Sequence, residues 1–339
     1  MVSFDTTERV VAYGAGEVLV EAIKTARELG FEVAVVTAPR QAEAEIDGEA
    51  MVDLLRSQDV ETVVTDDVNQ SSQVNELVGR QTVGLSFGAA WIFDESVIDA
   101  HNGRLVNFHG SRLPQDRGGG GFSWRILRDD PLGYSQAHLV TPSIDTGNIL
   151  LTDEYRFPES CTTPVEYAAY ANEKEAEIVT ELLEGIAGGR EFETTSQPEY
   201  LSSYWPRLST EEHGYIDWEW SLKEIVQFIR AFSDPYEGAK TFVNGIEVRL
   251  KQSESFRGDG TFHPFQTGIL YRKDDQRGYV ATPDGSLIVE SVRDEDGEEI
   301  LSDIAVGDRF YTPTERLRQA RRTRVYFTPT GMQREEHDS

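Results

Sequence analysis

Three residues in the first half of the chain have the types and spacing to act on a carbonyl carbon: Asn107, His109 and Asp145. Asn107 and His109 are two apart in the β-branched and aromatic run Arg104–His109, so on a strand both side chains leave the same face. An amide donor and an imidazole, which donates when protonated, could together hold an oxyanion. Asp145 falls in the loop Pro142–Gly147, and a carboxylate beside His109 would orient the ring and favour its charged form. The set suits attack on a carbonyl through a tetrahedral intermediate; no acyl-enzyme nucleophile stands in the pattern, and no metal is expected. Singly, each member is ordinary. Asn-x-His at a strand end is commonly a polar surface, Asp-x-Gly a turn, and Gly118–Gly121 a flexible loop.

Positioning such groups requires a strand end that opens into a crevice. The first 150 residues alternate strand and helix patterns: Arg9–Tyr13, a helix through Leu29 stopped by Gly30, Glu32–Thr37, a helix over 50–58, Glu61–Thr65, Thr82–Ile92, a short helix from Asp94 to His101, then Arg104–His109. This alternation predicts an α/β fold with a doubly wound, mostly parallel sheet. Ligands then sit beyond the carboxyl ends of the strands, where Gly14–Gly16, Ser86–Ala90 and Asn107–Pro114 would share one edge. Gly14-Ala15-Gly16 also opens a weak dinucleotide fingerprint, which would make the chain a nicotinamide-dependent oxidoreductase. The third glycine of that fingerprint is missing, because Leu19 holds its place.

A long helical pattern runs from Pro164 to Ile186 and stops at Gly188-Gly189. The expected organisation is a catalytic domain over 1–189, a linker over 190–208, a C-terminal domain over 209–327 and a disordered tail over 328–339. In the C-terminal part, Ser221 and Glu224 form a capping box ahead of Ile225, Phe228, Ile229 and Phe232 on one helical face. Short strands with Asn244-Gly245 and Asp284-Gly285 turns then suggest a small β-barrel.

The charge balance is unusual. Sixty acidic residues face 32 basic ones, a formal net charge of −28, and only six of the basic residues are lysine. Acid excess with scarce lysine suits a halophilic cytosolic surface, where salt screens self-repulsion. It also argues against nucleic acid as a partner, although an arginine cluster, Arg316, Arg318, Arg321, Arg322 and Arg324, reads first as a solvated helix face and second as a phosphate or RNA contact. No apolar run long enough for a membrane span and no signal-peptide layout are present, and Cys161 stands alone; the expected location is the cytoplasm, and a homodimer is compatible with all of this.

Order and spacing raise the three residues above their ordinary readings. The stretch Val106–Ile149 resembles the folate-dependent formyltransferase family, whose pattern is Asn-x-His-x-Ser-x-Leu-Pro, a glycine-containing loop, then Asp-x-Gly-x-Ile. Here these are Asn107, His109, Ser111, Leu113, Pro114, Arg117-Gly118, Asp145, Gly147 and Ile149. Tyr215–Trp218, Phe228–Ala231 and Pro235–Ala239 resemble the C-terminal domain of the longer members. The resemblance implies a Rossmann-like catalytic domain with an OB-like barrel, and direct formyl transfer from 10-formyltetrahydrofolate to a primary amine. It implies that Asn107, His109 and Asp145 are catalytic, that the pterin lies against Phe87, Gly88, Ala89 and Ile144, and that Ser111, Arg112, Leu113 and Pro114 border the folate. Trp91, Trp124 and Tyr236 are candidates for the acceptor pocket. Departures from the pattern are Arg112 for an apolar residue, Gln136 for threonine, and the added glycines Gly119, Gly120 and Gly121. Phe228–Phe242 and Ile216–Trp220 look closest to the nucleotide-sugar N-formyltransferases, so a dTDP- or UDP-linked amino sugar is the expected acceptor. Methionyl-tRNA is the second reading, and a non-catalytic folate or sugar-nucleotide sensor the last.

Overall fold

The computed structural model describes residues 1–119, 121–274 and 276–336. Gly120, in the glycine run, and residues 337–339 of the expected tail lie outside the described residues. A seven-stranded sheet is built from β1 (Arg9–Gly14), β2 (Glu32–Thr37), β3 (Glu61–Val64), β4 (Thr82–Phe87), β5 (Leu105–His109), β6 (Leu132–Leu139) and β7 (Ile149–Arg156), in the order β7-β6-β5-β4-β1-β2-β3. The first five run parallel, whereas β6 is antiparallel to β5 and β7 to β6. The chain leaves β1 toward β2 and β3, then returns on the other side to β4 and β5, so the switch point lies between β1 and β4.

Both faces are covered, which explains the near-continuous apolar runs: Val10, Val11, Ala12 and Tyr13 are all fully buried. Helix α1 (Glu17–Glu28) turns Leu19, Ala22, Ile23 and Ala26 inward at helical spacing. It shares one core with α2 (Met51–Ser57) and α6 (Pro164–Ala187). The opposite core lies under α3 (Ser72–Leu77) and α4 (Glu95–Ala100). Each fully buried Leu or Ile contributes roughly 1.5–3 kcal/mol. Leu19, fully buried, is therefore a packing residue in place of a dinucleotide glycine. Gly14 has its own reason: at φ +114 a Cβ there would lie 2.0 Å from the Phe87 carbonyl oxygen, so only glycine lets β1 and β4 end side by side.

Within the second core Tyr13 Oη and His101 Nε2 lie 2.8 Å apart. Burial lowers the His101 pKa to about 4, against an upward pull from Thr82. Between the ordinary histidine value near 6.5 and 4, the unfolded chain binds the proton and the folded one does not. This contribution to stability is thus complete above about 6.5 and is lost as pH falls to 4, on the order of 3 kcal/mol. Urea midpoints at pH 7 and pH 5 are expected to differ more for the wild type than for His101→Gln; equal differences would remove His101 as the cause.

The C-terminal unit has α7 (Leu222–Ala231), with the Ser221–Glu224 capping box formed, packed on β8 (Ala239–Val243), β9 (Ile246–Leu250), β10 (Ser253–Phe256), β11 (Leu270–Lys273), β12 (Gly278–Thr282) and β13 (Gly285–Val289). With the short strands Val292–Arg293 and Phe310–Tyr311, these strands form two four-stranded antiparallel sheets around one core. An isolated bridge, Ile269–Arg309, joins one pair of sheet edges, and no described pairing closes the other. The unit is seated on the first through α5 (Gly121–Arg128), whose Ser123 hydroxyl donates to the Ala231 carbonyl at 2.8 Å. After α8 (Thr314–Arg322) comes a hairpin, β14 (Thr323–Thr328) and β15 (Gly331–Glu336). Most of the stretch expected to be disordered is therefore paired strand, because its backbone groups find partners that the polar composition did not reveal.

Candidate active site

Strand register brings the first polar groups together. Asn107 and His109 on β5 face His138 and Gln136 on β6 directly, and opposed residues of antiparallel strands share a face. Ser86, beside Asn107 on β4, donates to Asn107 Oδ1 at 2.8 Å. Asn107 Nδ2 lies 3.1 Å from His138 Nε2. The Leu139 carbonyl, 2.9 Å from His138 Nδ1, can only accept, so Nδ1 carries a proton, and Nε2 faces both Asn107 Nδ2 and Asp145 Oδ1. The amide is thereby oriented, with one N–H left for a ligand.

His109 is oriented in the same way. The Asp116 carbonyl lies 2.8 Å from Nε2, which must donate, so Nδ1 is turned toward Asp145 Oδ2 at 3.8 Å. Asp145 stands in the loop between β6 and β7 at φ +52, a conformation that Asp and Asn tolerate. Its Oδ2 accepts from the Gly118 N–H at 2.9 Å, and its Oδ1 is 3.6 Å from His138 Nε2. Burial pushes the Asp145 pKa up, but His138, His109 and the Gly118 N–H together outweigh it and hold it at about 2. Asp145 is a carboxylate at any physiological pH.

These residues line a cleft of about 370 Å³. Gly88, Ala89, Trp91 and Ile144 are in its wall. Phe87 is not: it is buried and stacks on Phe108, 4.9 Å between ring centroids. Ser111, Arg112, Leu113 and Pro114 lie outside the lining. The Leu113 N–H is taken by Gln136 Oε1 at 2.6 Å, and Arg112 turns over the Tyr134 ring. Trp124 also stands apart, donating to the Pro206 carbonyl at 2.7 Å and packing on Trp205. Tyr236 is exposed in a turn of the C-terminal unit.

Sequence reasoning missed His138 and Gln197. Leu132–Leu139 shows no polar–apolar alternation, and only its pairing with β5 puts Gln136 and His138 on the face of His109 and Asn107. Gln197 had no signal, since it lies in the expected linker. Its Nε2 donates to the Asp145 and Gly147 carbonyls at 2.9 and 2.7 Å, and its Oε1 accepts from buried Arg117. The stretch 190–208 is thus a brace for the Asp145 loop. Gln197→Ala removes the two hydrogen bonds to the Asp145 loop and the two from Arg117, about 1 kcal/mol each. It is expected to lower kcat about tenfold and the melting temperature by several degrees; an unchanged kcat would show that Thr141 and Thr146, whose hydroxyls lie 2.6 Å apart, hold the loop alone.

Residues 208–307 match the family model for the formyl transferase C-terminal domain. A methionyl-tRNA formyltransferase of Clostridium perfringens is 25% identical over 228 residues, 66% of this chain and 71% of the relative. The chain is thus similar to the folate-dependent formyltransferases in its C-terminal domain and over about two thirds of its length. Two solved structures share the fold. One is WlaRD, a sugar 3N-formyltransferase crystallised with dTDP and 5-N-formyl-THF: TM-score 0.64, 18% identity, 86% of this chain and 98% of that one. The other is the Helicobacter canadensis N-formyltransferase in complex with folinic acid and dTDP-3-aminofucose: TM-score 0.65, 16% identity, 84% and 99%. No described helix is long and apolar enough to cross a membrane.

Proposed function

We propose that the chain transfers the formyl group of 10-formyltetrahydrofolate directly to the primary amine of an acceptor. The observation that carries this reading is the meeting of Asn107, His109 and Asp145 in one open cleft. Asn107, held by Ser86 and His138, offers its remaining N–H to the oxyanion that forms as the amine attacks. As the new carbon–nitrogen bond forms, His109 Nδ1 takes the amine's proton. It returns that proton to the leaving nitrogen as the old bond breaks. A carboxylate ionised down to pH 2 is poorly matched to carry a proton itself. Asp145 instead stabilises the imidazolium. The pterin is placed against Gly88, Ala89 and Ile144.

The acceptor we favour is a dTDP- or UDP-linked amino sugar, supported by the two fold neighbours crystallised with dTDP or a dTDP-amino sugar. Methionyl-tRNA is the second reading, favoured by the curated relatives. We also read the C-terminal unit as OB-like, and the acid-rich, lysine-poor composition as that of a high-salt cytoplasm. The test incubates the protein and 10-formyltetrahydrofolate, in low and in molar KCl, with a panel of dTDP- and UDP-amino sugars and with charged initiator tRNA. Mass gain of one formyl group on a single acceptor class is expected. Formate release without any formylated amine would overturn the reading.

A further inference from the structure

The C-terminal hairpin lies beyond the residues matched by the family model, yet it reaches the catalytic cleft. Val325 and Tyr326 of β14 line the same cavity as His109 and Asp145. The hairpin is fastened there: Val325 is buried and bridges to Arg207, and Arg40 Nε donates to the Thr328 carbonyl at 2.7 Å. An ion pair, Arg334 with Glu212 at 3.1 Å, ties β15 to the C-terminal unit.

Two features gather where the hairpin meets the cleft. The first is apolar: Ile92, Ile144, Tyr204 and Tyr326 are 58%, 44%, 47% and 36% exposed, and all four line this one cavity. Exposed apolar groups concentrated in a concave site mark a ligand surface. Arg324 lies 5.7 Å from the Tyr204 ring and 4.9 Å from the Tyr326 ring, a cation that stiffens both. The second is charge. In a chain of net charge −28, the cleft lining holds two arginines, Arg40 and Arg207, and a single carboxylate, Asp145. The two arginines line the same cavity, and burial first, then the Arg207 charge, lowers the Arg40 pKa. An anion placed between them would offset that charge.

We propose that the C-terminal hairpin forms a wall of the substrate cleft, with Tyr204 and Tyr326 taking a planar ring and Arg40 and Arg207 an anionic group attached near it. This subsite rests on the formyl-transfer reading for its choice of ligands. A ring with a nearby anion describes both a nucleoside diphosphate on the acceptor and the benzoylglutamate end of the donor, and the test separates them.

Dissociation constants for dTDP and for 5-formyltetrahydrofolate are measured by calorimetry on the full chain and on Arg40→Gln, Arg207→Gln and Tyr326→Ala. Arg318→Gln is the control, an equal charge change on α8 outside the cleft. Loss of one stacking surface or one charge-assisted contact weakens binding about tenfold. That change is expected in all three cleft variants and less than twofold in the control. Weakening confined to dTDP assigns the subsite to the acceptor, and weakening confined to the folate assigns it to the donor. If both ligands bind every cleft variant within twofold of the wild type, or the control weakens equally, the subsite is wrong. A wild type that binds both ligands but formylates nothing would instead fail the transfer reading, leaving the binding result to stand.

Discussion

His109→Ala is expected to lower kcat for formyl transfer by about 10²–10⁴-fold, the range for loss of a positioned acid–base group, while 5-formyltetrahydrofolate still binds within a few-fold of the wild type. The geometry gives the reason. His109 Nε2 is committed to the Asp116 carbonyl at 2.8 Å, so proton traffic in the cleft falls to Nδ1, the nitrogen that faces Asp145. Alanine removes that nitrogen and opens space at the end of β5. Added imidazole is therefore expected to restore part of the rate. His109→Asn puts back a polar side chain without a proton acceptor of suitable strength, and is expected to stay as slow as alanine. Single-turnover kinetics with saturating donor decide this directly. Turnover near the wild-type rate in either variant would remove His109 from the chemistry and leave it as an anchor for the 116–118 loop.

Asp145→Asn carries the second large effect, a fall in kcat of about 10²–10³-fold with little change in donor affinity. Asparagine is nearly isosteric, can still accept the Gly118 N–H, and tolerates the positive φ of this position, so the backbone has no reason to move. What disappears is the negative charge that stabilises a protonated His109. The same charge has a signature in stability. The Asp145 pKa is about 2 in the folded chain against 3.8 ordinarily, so its contribution is present above 3.8 and is lost as pH falls through 2. Chemical denaturation is expected to find Asp145→Asn less stable than the wild type at pH 7 by about 2 kcal/mol, with the gap closing below pH 4. A rate loss with no stability gap would mean that Asp145 acts only when substrate is bound. A stability gap with no rate loss would make it a structural residue.

How much of this was legible in the residues differs from element to element. The alternation of apolar strands and amphipathic helices was enough for a doubly wound sheet, because burial on both faces imposes period and composition locally. The Asn107–His109 pair was legible for the same reason, a two-residue spacing on one strand. The hairpin at the C-terminus was not. Its residues are polar, and it is stable because Arg40, Arg207 and Glu212, each more than a hundred residues away in the chain, hold it. Ser111 to Pro114 follow β5 closely in sequence, yet the Leu113 N–H is bonded to Gln136 and the four residues lie outside the lining of the cleft.

By itself, then, the sequence determined the strand–helix order, the same-face pairing of Asn107 with His109, and an Asp-x-Gly loop at the right distance along the chain. Only the tertiary structure decided that His138 and Gln197 join the cluster, that Trp124 and Tyr236 stand outside it, and that Val325 and Tyr326 of the C-terminal hairpin line the cleft. The division has a physical cause. Periodicity and turn chemistry act over a few residues and leave a mark in each segment, whereas a hydrogen bond from residue 197 to residue 145 depends on how whole elements pack and leaves none.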